Sequence, residues 1–550
     1  MTVEVLGTIF TFVGGLGMFL YGMNVMADGL QKSAGGKMKQ LMGILTRNRL
    51  LAVLVGALVT AIIQSSSATT VMVVGFVNAG IVNLTQAVGV IMGANVGTTI
   101  TGWLVSMNEW GAIFKPSFFA PLLIGIGAFV IMFSKKEKRK DVGEILIGFG
   151  VLFIGLDFMS NAIKPYSDSP IFSNAFAVLG KNPILAILAG AIITAIIQSS
   201  SASVGILQTL AMNGVVGWNS AVFITLGQNI GTCVTALLSS AGANKTAKRA
   251  AVIHLMFNVV GAVIFGILMF VIFTFNPSFA HSSINSVEIS IFHTIFNITN
   301  TVVLFPFANL LVKLSGLIID DSKPETNDEE DITLMHLDDR ILETPSFAVE
   351  NAVKESINLG KIALKNTETA IQAFLQNDVE KANEVFKNEK LIDKYEKKIT
   401  EYLVKITNLS INEKQHFLVN DLFYTISNIE RVGDHAENLA ELAVSKIDHN
   451  IWFSDTAYKE LDEICNVVLQ SFENAILARE TENIEYVRKV VKLEDQVDAL
   501  EEELRDSHIE RLSRNECDSE TGVIFMDALV NLERISDHSL NIANYVRDEL

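Results

Sequence analysis

Thr-Ala-Ile-Ile-Gln-Ser-Ser-Ser-Ala stands at residues 60–68 and again, letter for letter, at 194–202. Both copies lie in uncharged apolar sequence: no Asp, Glu, Lys or Arg occurs between Arg49 and Glu109, or between Lys181 and Lys245. Hydrocarbon cannot satisfy the polar groups of a Gln-Ser-Ser-Ser island, so such an island persists at membrane depth only where it lines a cavity or is buried in protein. Its duplication points to a two-fold repeated binding site. Helix packing is the competing explanation, because small residues are enriched where transmembrane helices meet. Each copy, however, is followed at the same interval by Asn-x-Gly-Thr, at Asn95 after Gln64 and at Asn229 after Gln198. That shared spacing favours a site.

Further apolar segments lie near 5–30, 116–134, 142–164, 251–275 and 287–319. About 20 apolar residues cross the hydrocarbon, so each of these reads as a span. The run from Val5 to Leu20 lacks the basic start and small-residue cleavage site of a signal peptide and reads as the first span. The two uncharged segments, 50–106 and 182–240, are longer and could each hold two spans, or one span and a re-entrant hairpin broken at Gln-Ser-Ser-Ser. Loop charges choose between these. Basic clusters at Lys32, Lys37, Lys39, Arg47 and Arg49, at Lys135, Lys136, Lys138, Arg139 and Lys140, and at Lys245, Lys248 and Arg249 should share the cytoplasmic side. The intervening connections are poor in positive charge. One threading satisfies them all only if each long segment crosses an odd number of times, which a hairpin plus one span does. The two repeats then enter from opposite sides, with the N-terminus outside and the C-terminus inside, an inverted design that secondary transporters use.

Each repeat carries two polar clusters. The first is Gln64-Ser65-Ser66-Ser67-Ala68-Thr69-Thr70, matched by Gln198-Ser199-Ser200-Ser201-Ala202-Ser203. The second is Gly93-Ala94-Asn95-Val96-Gly97-Thr98-Thr99, matched by Gly227-Gln228-Asn229-Ile230-Gly231-Thr232. Glycines allow backbone breaks and close approach, and Ser, Thr and Asn cap the helices that restart after such breaks. A restarted helix offers free N–H groups and a partial positive end to an oxyanion. Hydroxyls, amides and carbonyls offer neutral oxygens to a hard cation such as Na+. An anion in a pocket without Lys or Arg needs a co-bound cation, which argues for symport. His254-x-x-x-Asn258 and His293-x-x-x-Asn297 read as polar locks between helices, and Asp157, whose repeat partner is Asn24, as a candidate coupling site.

On these motifs, residues 1–320 resemble the type II sodium–phosphate cotransporter family. The resemblance implies Na+-coupled transport of inorganic phosphate, with both ligands held between two re-entrant hairpins. Carried over by position, Gln64, Ser65, Ser66, Ser67, Gln198, Ser199, Ser200 and Ser201 are phosphate and Na+ contacts. Thr69, Asn95, Thr98, Thr99, Ser203, Asn229 and Thr232 shape or line the site. The second copy departs from the first at Ser203 (Thr69) and Cys233 (Thr99).

The remainder differs in kind. Residues 1–320 hold 17 Lys and Arg against 10 Asp and Glu, whereas 321–550 hold 25 against 50. Acidity therefore belongs to the C-terminal part, which argues against nucleic acid as a partner. Three scattered cysteines suggest neither a disulfide framework nor a zinc site. After a charged linker (321–344), helical spacing resumes, with breaks near 378, 409, 450, 481 and 514 that predict six helices. Glu389-x-x-x-Asp393-x-x-Glu396 recurs as Glu494-x-x-x-Asp498-x-x-Glu501, and Glu430-Arg431-Val432-Gly433-Asp434-His435 as Glu533-Arg534-Ile535-Ser536-Asp537-His538. This part resembles a PhoU-type domain, two three-helix bundles. A Glu and Asp at i, i+4 share one helix face and suit a hard metal. The PhoU resemblance implies metal clusters, of a divalent or iron-type ion, with Glu430, Asp434, Glu533 and Asp537 as leading ligands. Asp393, Glu396, Asp498 and Glu501 would complete or surround them. A solvated acidic face is the plainer alternative.

The expected architecture is all-α: transmembrane repeats at 1–134 and 135–320, the acidic linker, and a cytoplasmic PhoU-like domain at 345–550. The expected function is Na+-coupled phosphate transport across the inner membrane, with the helical domain regulating it. Phosphate export and a membrane-anchored phosphate sensor are the alternatives. Expected partners are phosphate, Na+ and the lipid bilayer, and a homodimer stays open. No nucleotide loop, nucleophile–base pair or zinc spacing suggests an enzyme.

Overall fold

The computed structural model describes residues 3–45, 48–110, 115–167, 169–320 and 337–550. Among these residues the regular elements are all helices, with one isolated β-bridge between Gly217 and Ser283. Packing divides the chain into two units, Met1–Phe347 with Ser410–Asn412, and Ala348–Leu409 with Glu413–Leu550.

In the first unit, α1 spans Val3–Leu45, so Lys32, Lys37 and Lys39 extend a helix rather than a loop; Arg47 lies outside the described residues. Then come α2 (Arg49–Ile63) and α3 (Ser66–Asn78), of 15 and 13 residues. At a rise of about 1.5 Å per residue these arms reach about 22 and 20 Å, short of the ~30 Å of hydrocarbon. They form a hairpin, followed by a full span made of α4 (Leu84–Gly97) and α5 (Thr99–Ser106). Helices α6 (Pro116–Phe133) and α7 (Glu137–Ile163) complete the first repeat and open the second. The second repeat continues with α8 (Pro170–Lys181), bent by 115° onto α9 (Pro183–Ile197), whose partner arm is α10 (Ser200–Met212). Its full spans are α11 (Trp218–Ser239) and α12 (Lys245–Phe275); α13 (Ser286–Leu304) and α14 (Ala308–Ile318) form a last span. Among the described residues, seven helices are long and apolar enough to cross a membrane, or eight if the bent pair counts as one.

Each uncharged segment is thus a hairpin plus one span, as the loop charges require. The hairpins open toward opposite ends of the unit. At the end of α3, Asn78 accepts from the Asn244 backbone N–H (2.8 Å), where α12 begins. At the end of α10, Asn213 donates to Ser160 near the end of α7 (3.0 Å), and Gly217 bridges Ser283 beyond α12.

Glycines set the closest helix contacts. A Cβ on Gly15 would lie 2.8 Å from the Gly155 carbonyl oxygen, and one on Gly22 would lie 2.6 Å from that of Gly148, where α1 crosses α7. Gly93 and Gly97 of α4 rest on the carbonyls of Val53 and Ala57 in α2. Gly227 and Gly231 of α11 rest likewise on Ile187 and Ala191 in α9. Of the two uses the sequence allowed these motif glycines, a backbone break or a close approach, the structure shows the second: α4 runs through Gly93, and α11 through both Gly227 and Gly231. Their role is to let backbones touch. The breaks fall at Gln64 (φ 57°) and Gln198 (φ 56°), left-handed residues that end α2 and α9.

The polar pairs lock α11 to its neighbours. Asn258 donates to Cys233 Sγ (3.4 Å), and His293 Nε2 lies 3.4 Å from Asn229 Oδ1. Asp157 takes a donor from Asn108 (3.2 Å) and faces Lys115 (3.9 Å).

The second unit holds the predicted six helices: α15 (Pro345–Gln376), α16 (Val379–Thr407), α17 (Glu413–Asp448), α18 (Asp455–Thr481), α19 (Ile484–Ser513) and α20 (Ser519–Glu549). Left-handed Asn377, Asn450, Glu482 and Asn515 sit at four of the five turns, where helices stop by this device. Helices α17 and α20 carry the two Asp-His motifs and pack on each other, with His435 stacked on His538 at 5.6 Å between centroids. Each histidine faces the asparagine of the other helix at 2.9 Å, His435 with Asn531 and His538 with Asn428.

Alanine at Gly93 or Gly227 should destabilise the detergent-solubilised protein by about 1–3 kcal/mol through overpacking. Gly125→Ala, whose Cβ meets nothing within 4 Å, should be neutral in the same thermal-unfolding measurement.

Candidate functional site

The two hairpin tips meet. Ser66 Oγ and Ser200 Oγ lie 3.4 Å apart, and Ser201 Oγ donates to the Gln64 carbonyl at 3.4 Å. Between the tips lies a cavity of about 200 Å³. Gln64, Ser65, Ser67, Gln198, Ser199, Ser200 and Ser201 line it, with Met23, Asn24 and Ala27 of α1 as the remaining wall beside Ile63. None of the lining residues is charged. Asn24 is the lining residue that sequence reasoning missed; its one signal was the match of Gly22-Met23-Asn24 to Gly155-Leu156-Asp157. Its counterpart Asp157 does not line the cavity.

Local chemistry explains the tips. After the left-handed Gln64, extended Ser65 caps α3 by accepting the Ala68 N–H at 3.1 Å; Ser199 caps α10 by accepting the Ala202 N–H at 3.2 Å. The caps use the third N–H of each helix. First-turn N–H groups have no acceptor within the helix, so those of the lining residues Ser67, Ser200 and Ser201 lack an intrahelical partner; Ser66, though its hydroxyl touches Ser200, does not line the cavity. The positive ends of two helices thus converge on one cavity.

The other predicted residues support the tips from behind. Thr60 donates to Thr69 (3.0 Å) and Thr194 to Ser203 (2.8 Å), tying the arms of each hairpin together. The leading threonine of the repeated motif is therefore a brace. Gln228 adds donations to the carbonyl and hydroxyl of Ser203 at 2.9 and 3.0 Å. Asn95 and Asn229 donate to Ile91 and Thr225 one turn back, at 2.8 and 2.9 Å. Thr99, at the start of α5, donates to the Val96 carbonyl of α4, Thr232 donates to the Asn229 carbonyl of its own helix, and Thr98 is buried. None of these seven residues lines the cavity: Thr69 and Ser203 sit on the hairpin arms against Thr60 and Thr194, and the other five lie on α4, α5, their junction and α11.

Symmetry between the repeats is incomplete. Thr101 donates to Gln64 Oε1 at 3.0 Å, while the Gln64 amide donates to the Ala61 carbonyl, so that side chain is pinned and buried. Thr235 stands in the corresponding place in the second repeat, yet its buried hydroxyl has no partner, and Gln198 is exposed.

In the second unit, ligand atoms of Glu389, Asp393 and Asp434 lie within 4.8 Å of one another. Glu389 is buried, and its Oε1 has no hydrogen-bond partner. Burial together with Asp393, Glu437 and Asp434 pushes its pKa up to about 8. Burial beside Asp434, Asp393 and Glu396 pushes Glu430 to about 7. A buried carboxyl whose Oε1 has no partner among the described residues, facing two more carboxyls, fits a hard cation. Glu389, which the sequence placed in the motif but not among the ligands, joins Asp393 and Asp434; Glu430 and Glu396 border them. The second copy is not equivalent: Arg534 pairs with Asp537 (3.1 Å) and Glu533 (3.6 Å), and Arg505 with Glu501 (3.1 Å). Among the described residues, Asp498 and its neighbours form no comparable triad.

The sequence profile of the Na+/Pi-cotransporter family matches residues 18–161 and 168–285, and the PhoU domain profile matches 357–443 and 461–546. Over 545 residues the chain is 25% identical to the "Putative inorganic phosphate export protein YjbB" of Escherichia coli (strain K12), covering 98% of each chain. It is 32% identical over 303 residues to the "Uncharacterized protein YqeW" of Bacillus subtilis (strain 168), covering 55% of this chain and 95% of that one. A shorter likeness, 33% over 109 residues, links it to the "Sodium-dependent phosphate transport protein 2B" of Homo sapiens, covering 19% and 16%.

The raised carboxyl pKa values set a pH dependence for the metal-free protein. An acid whose folded pKa exceeds its unfolded value stabilises the fold while protonated, and that contribution is lost as pH rises from about 4.5 through the folded pKa. In a chelator, the helical domain should melt at lower temperature at pH 8.5 than at pH 6. Mn2+ should narrow that difference, and Glu389→Gln should abolish most of it. A pH-independent melt in chelator would contradict the assignment.

Proposed function

We propose that this chain, which belongs to the Na+/Pi-cotransporter family and carries a PhoU domain, moves inorganic phosphate across the membrane together with Na+. The observation that carries the reading is the pair of helix starts facing one uncharged, hydroxyl-lined cavity. Phosphate oxygens would take the first-turn N–H groups of Ser67, Ser200 and Ser201 together with the hydroxyls of the lining serines. The Gln64 and Gln198 backbones aim the two tips. Because no Lys or Arg lines the cavity, the anion's charge would be met by Na+ on hydroxyl and carbonyl oxygens at the ends of α2 and α9, and one ion would favour entry of the other.

Exchange between the two faces follows from inversion. Hairpins that open toward opposite ends give the tips two related arrangements, each exposing the cavity to one side. The positive-inside bias of Lys135–Lys140 and Lys245–Arg249 supports a cytoplasmic C-terminal domain. An inward Na+ gradient drives import through such a carrier. Net export is the second reading, supported by the name of the relative that matches over almost the whole chain. In the helical domain, Glu389, Asp393 and Asp434 would hold a divalent or iron-type cation, which would supply the charge that lets three carboxylates stay together. That domain would tune the carrier.

Purified protein in proteoliposomes should take up labelled phosphate several-fold faster from Na+ than from K+ medium. Gln64→Ala and Gln198→Ala should each cut that flux by about tenfold or more, since misplacing a tip misplaces every donor on it. Full rates in both variants would exclude the site. Phosphate binding without flux would favour a sensor. Efflux from phosphate-loaded vesicles that ignores the Na+ gradient would favour export without symport.

A further inference from the structure

The geometry points to residues 337–347 as a strap that clamps the open end of the first hairpin and biases the exchange between the carrier's two faces. This rests on the transport reading above and adds its regulation.

The strap begins where the sequence suggested only acidic linker. Residues 321–336 lie outside the described residues, but Asp338 and Ile341 are buried, and Asp339–Glu343 form a 3-10 turn against α3. Asn78, the last residue of α3, knits three segments together. Its Nδ2 donates to Asp338 Oδ2 at 2.7 Å. Its Oδ1 accepts the Asn244 N–H at 2.8 Å, and its carbonyl accepts Asn244 Nδ2 at 3.0 Å. Arg340 is held by Asp338 (2.7 Å) and donates to the carbonyls of Ser239 (2.6 Å) and Ala241 (3.2 Å), at the end of α11 and in the turn after it. Below these polar contacts, Ile341 and Arg340 cover Gly75, where an added Cβ would lie 3.0 and 3.1 Å from their side chains. Phe347 packs edge-on to Phe76 at 5.6 Å.

The strap therefore ties the first repeat's hairpin to the second repeat's α11–α12 turn. The other hairpin has a different arrangement: at the end of α10, Asn213 bonds to Ser160 and Thr209, both within the second repeat. This difference matters because inverted repeats otherwise render the two access states equivalent. An element bound to one hairpin alone makes one state lower in free energy, and the exchange equilibrium shifts by that differential binding. The strap also runs directly into α15, which starts at Pro345. Any event that pulls on α15 would act on the clamp without an intervening loop.

Two measurements on the full chain test the clamp. In the first, Asn78→Cys and Asp338→Cys are introduced with Cys517→Ser, and the pair is bridged by a short bifunctional thiol reagent cleavable with dithiothreitol. Bridged protein should lose about tenfold or more of its Na+-dependent phosphate flux, and cleavage should restore it. Equal flux before and after cleavage would overturn the clamp. The second measurement needs no transport. In Arg340→Ala, the amides of residues 79–82, which close the turn after α3, should exchange about tenfold faster, while those of 213–217 keep their wild-type rates. Unchanged exchange at 79–82 would overturn the strap even in a protein that transports normally. Loss of flux in the cleaved and wild-type chains alike, with faster exchange at 79–82, would instead refute the transport reading and leave the strap standing.

Discussion

The contact between Ser66 and Ser200 is the constraint on which the membrane unit turns. Two helices start there, deep within apolar sequence, and each start leaves N–H groups that lipid cannot satisfy. The arrangement is tolerable only if the two starts shield each other and share a polar cavity. The surrounding devices follow from that need. Left-handed Gln64 and Gln198 turn the chain within one residue, Ser65 and Ser199 cap, Thr60 and Thr194 brace the arms, and glycines on α4 and α11 let the arms lie flat against a span. Each device occurs twice because the tips must match.

Much of this was legible in the sequence because duplication and charge are linear properties. The missing charges between Arg49 and Glu109, read with the basic clusters on either side, required a hairpin and a span, and so fixed the inversion. The serine triplets read correctly as facing tips. The glycines could be read only as far as two alternatives, a break or a close approach. Sequence shows that Gly93 and Gly227 lack side chains but not whether the backbone uses that freedom for rotation or for approach, and the carbonyls they rest on belong to helices some 40 residues earlier. Asn24 was missed because it sits on α1, far from the motif in sequence. Glu389 was visible in the repeat, yet its buried, unpaired oxygen is a tertiary property. The six helices of the second unit were readable because Asn and Asp mark their turns.

The strap was hidden for a related reason. Asp338 and Arg340 look like the tail of an acidic linker, and composition gives such a run to solvent. What folds it is a pair of backbone carbonyls and one asparagine amide, partners that composition does not register. Ile341 and Phe347, with Leu337 and Leu342 beside them, are the apolar residues there that could have warned of burial.

Asymmetry is where an inverted repeat acquires a direction of regulation. Identical halves would place the carrier's two states at equal free energy, and nothing outside the gradients could bias them. Here the halves differ at each level. Gln64 is pinned by Thr101 while the Thr235 hydroxyl has no partner among the described residues; one hairpin bears the strap; α13 and α14 have no counterpart in the first repeat. The helical unit repeats the lesson, because one carboxylate triad is gathered while Arg534 neutralises its twin. Duplication gives two facing tips, and on the proposed reading the residues at which the halves differ would favour one of the two states.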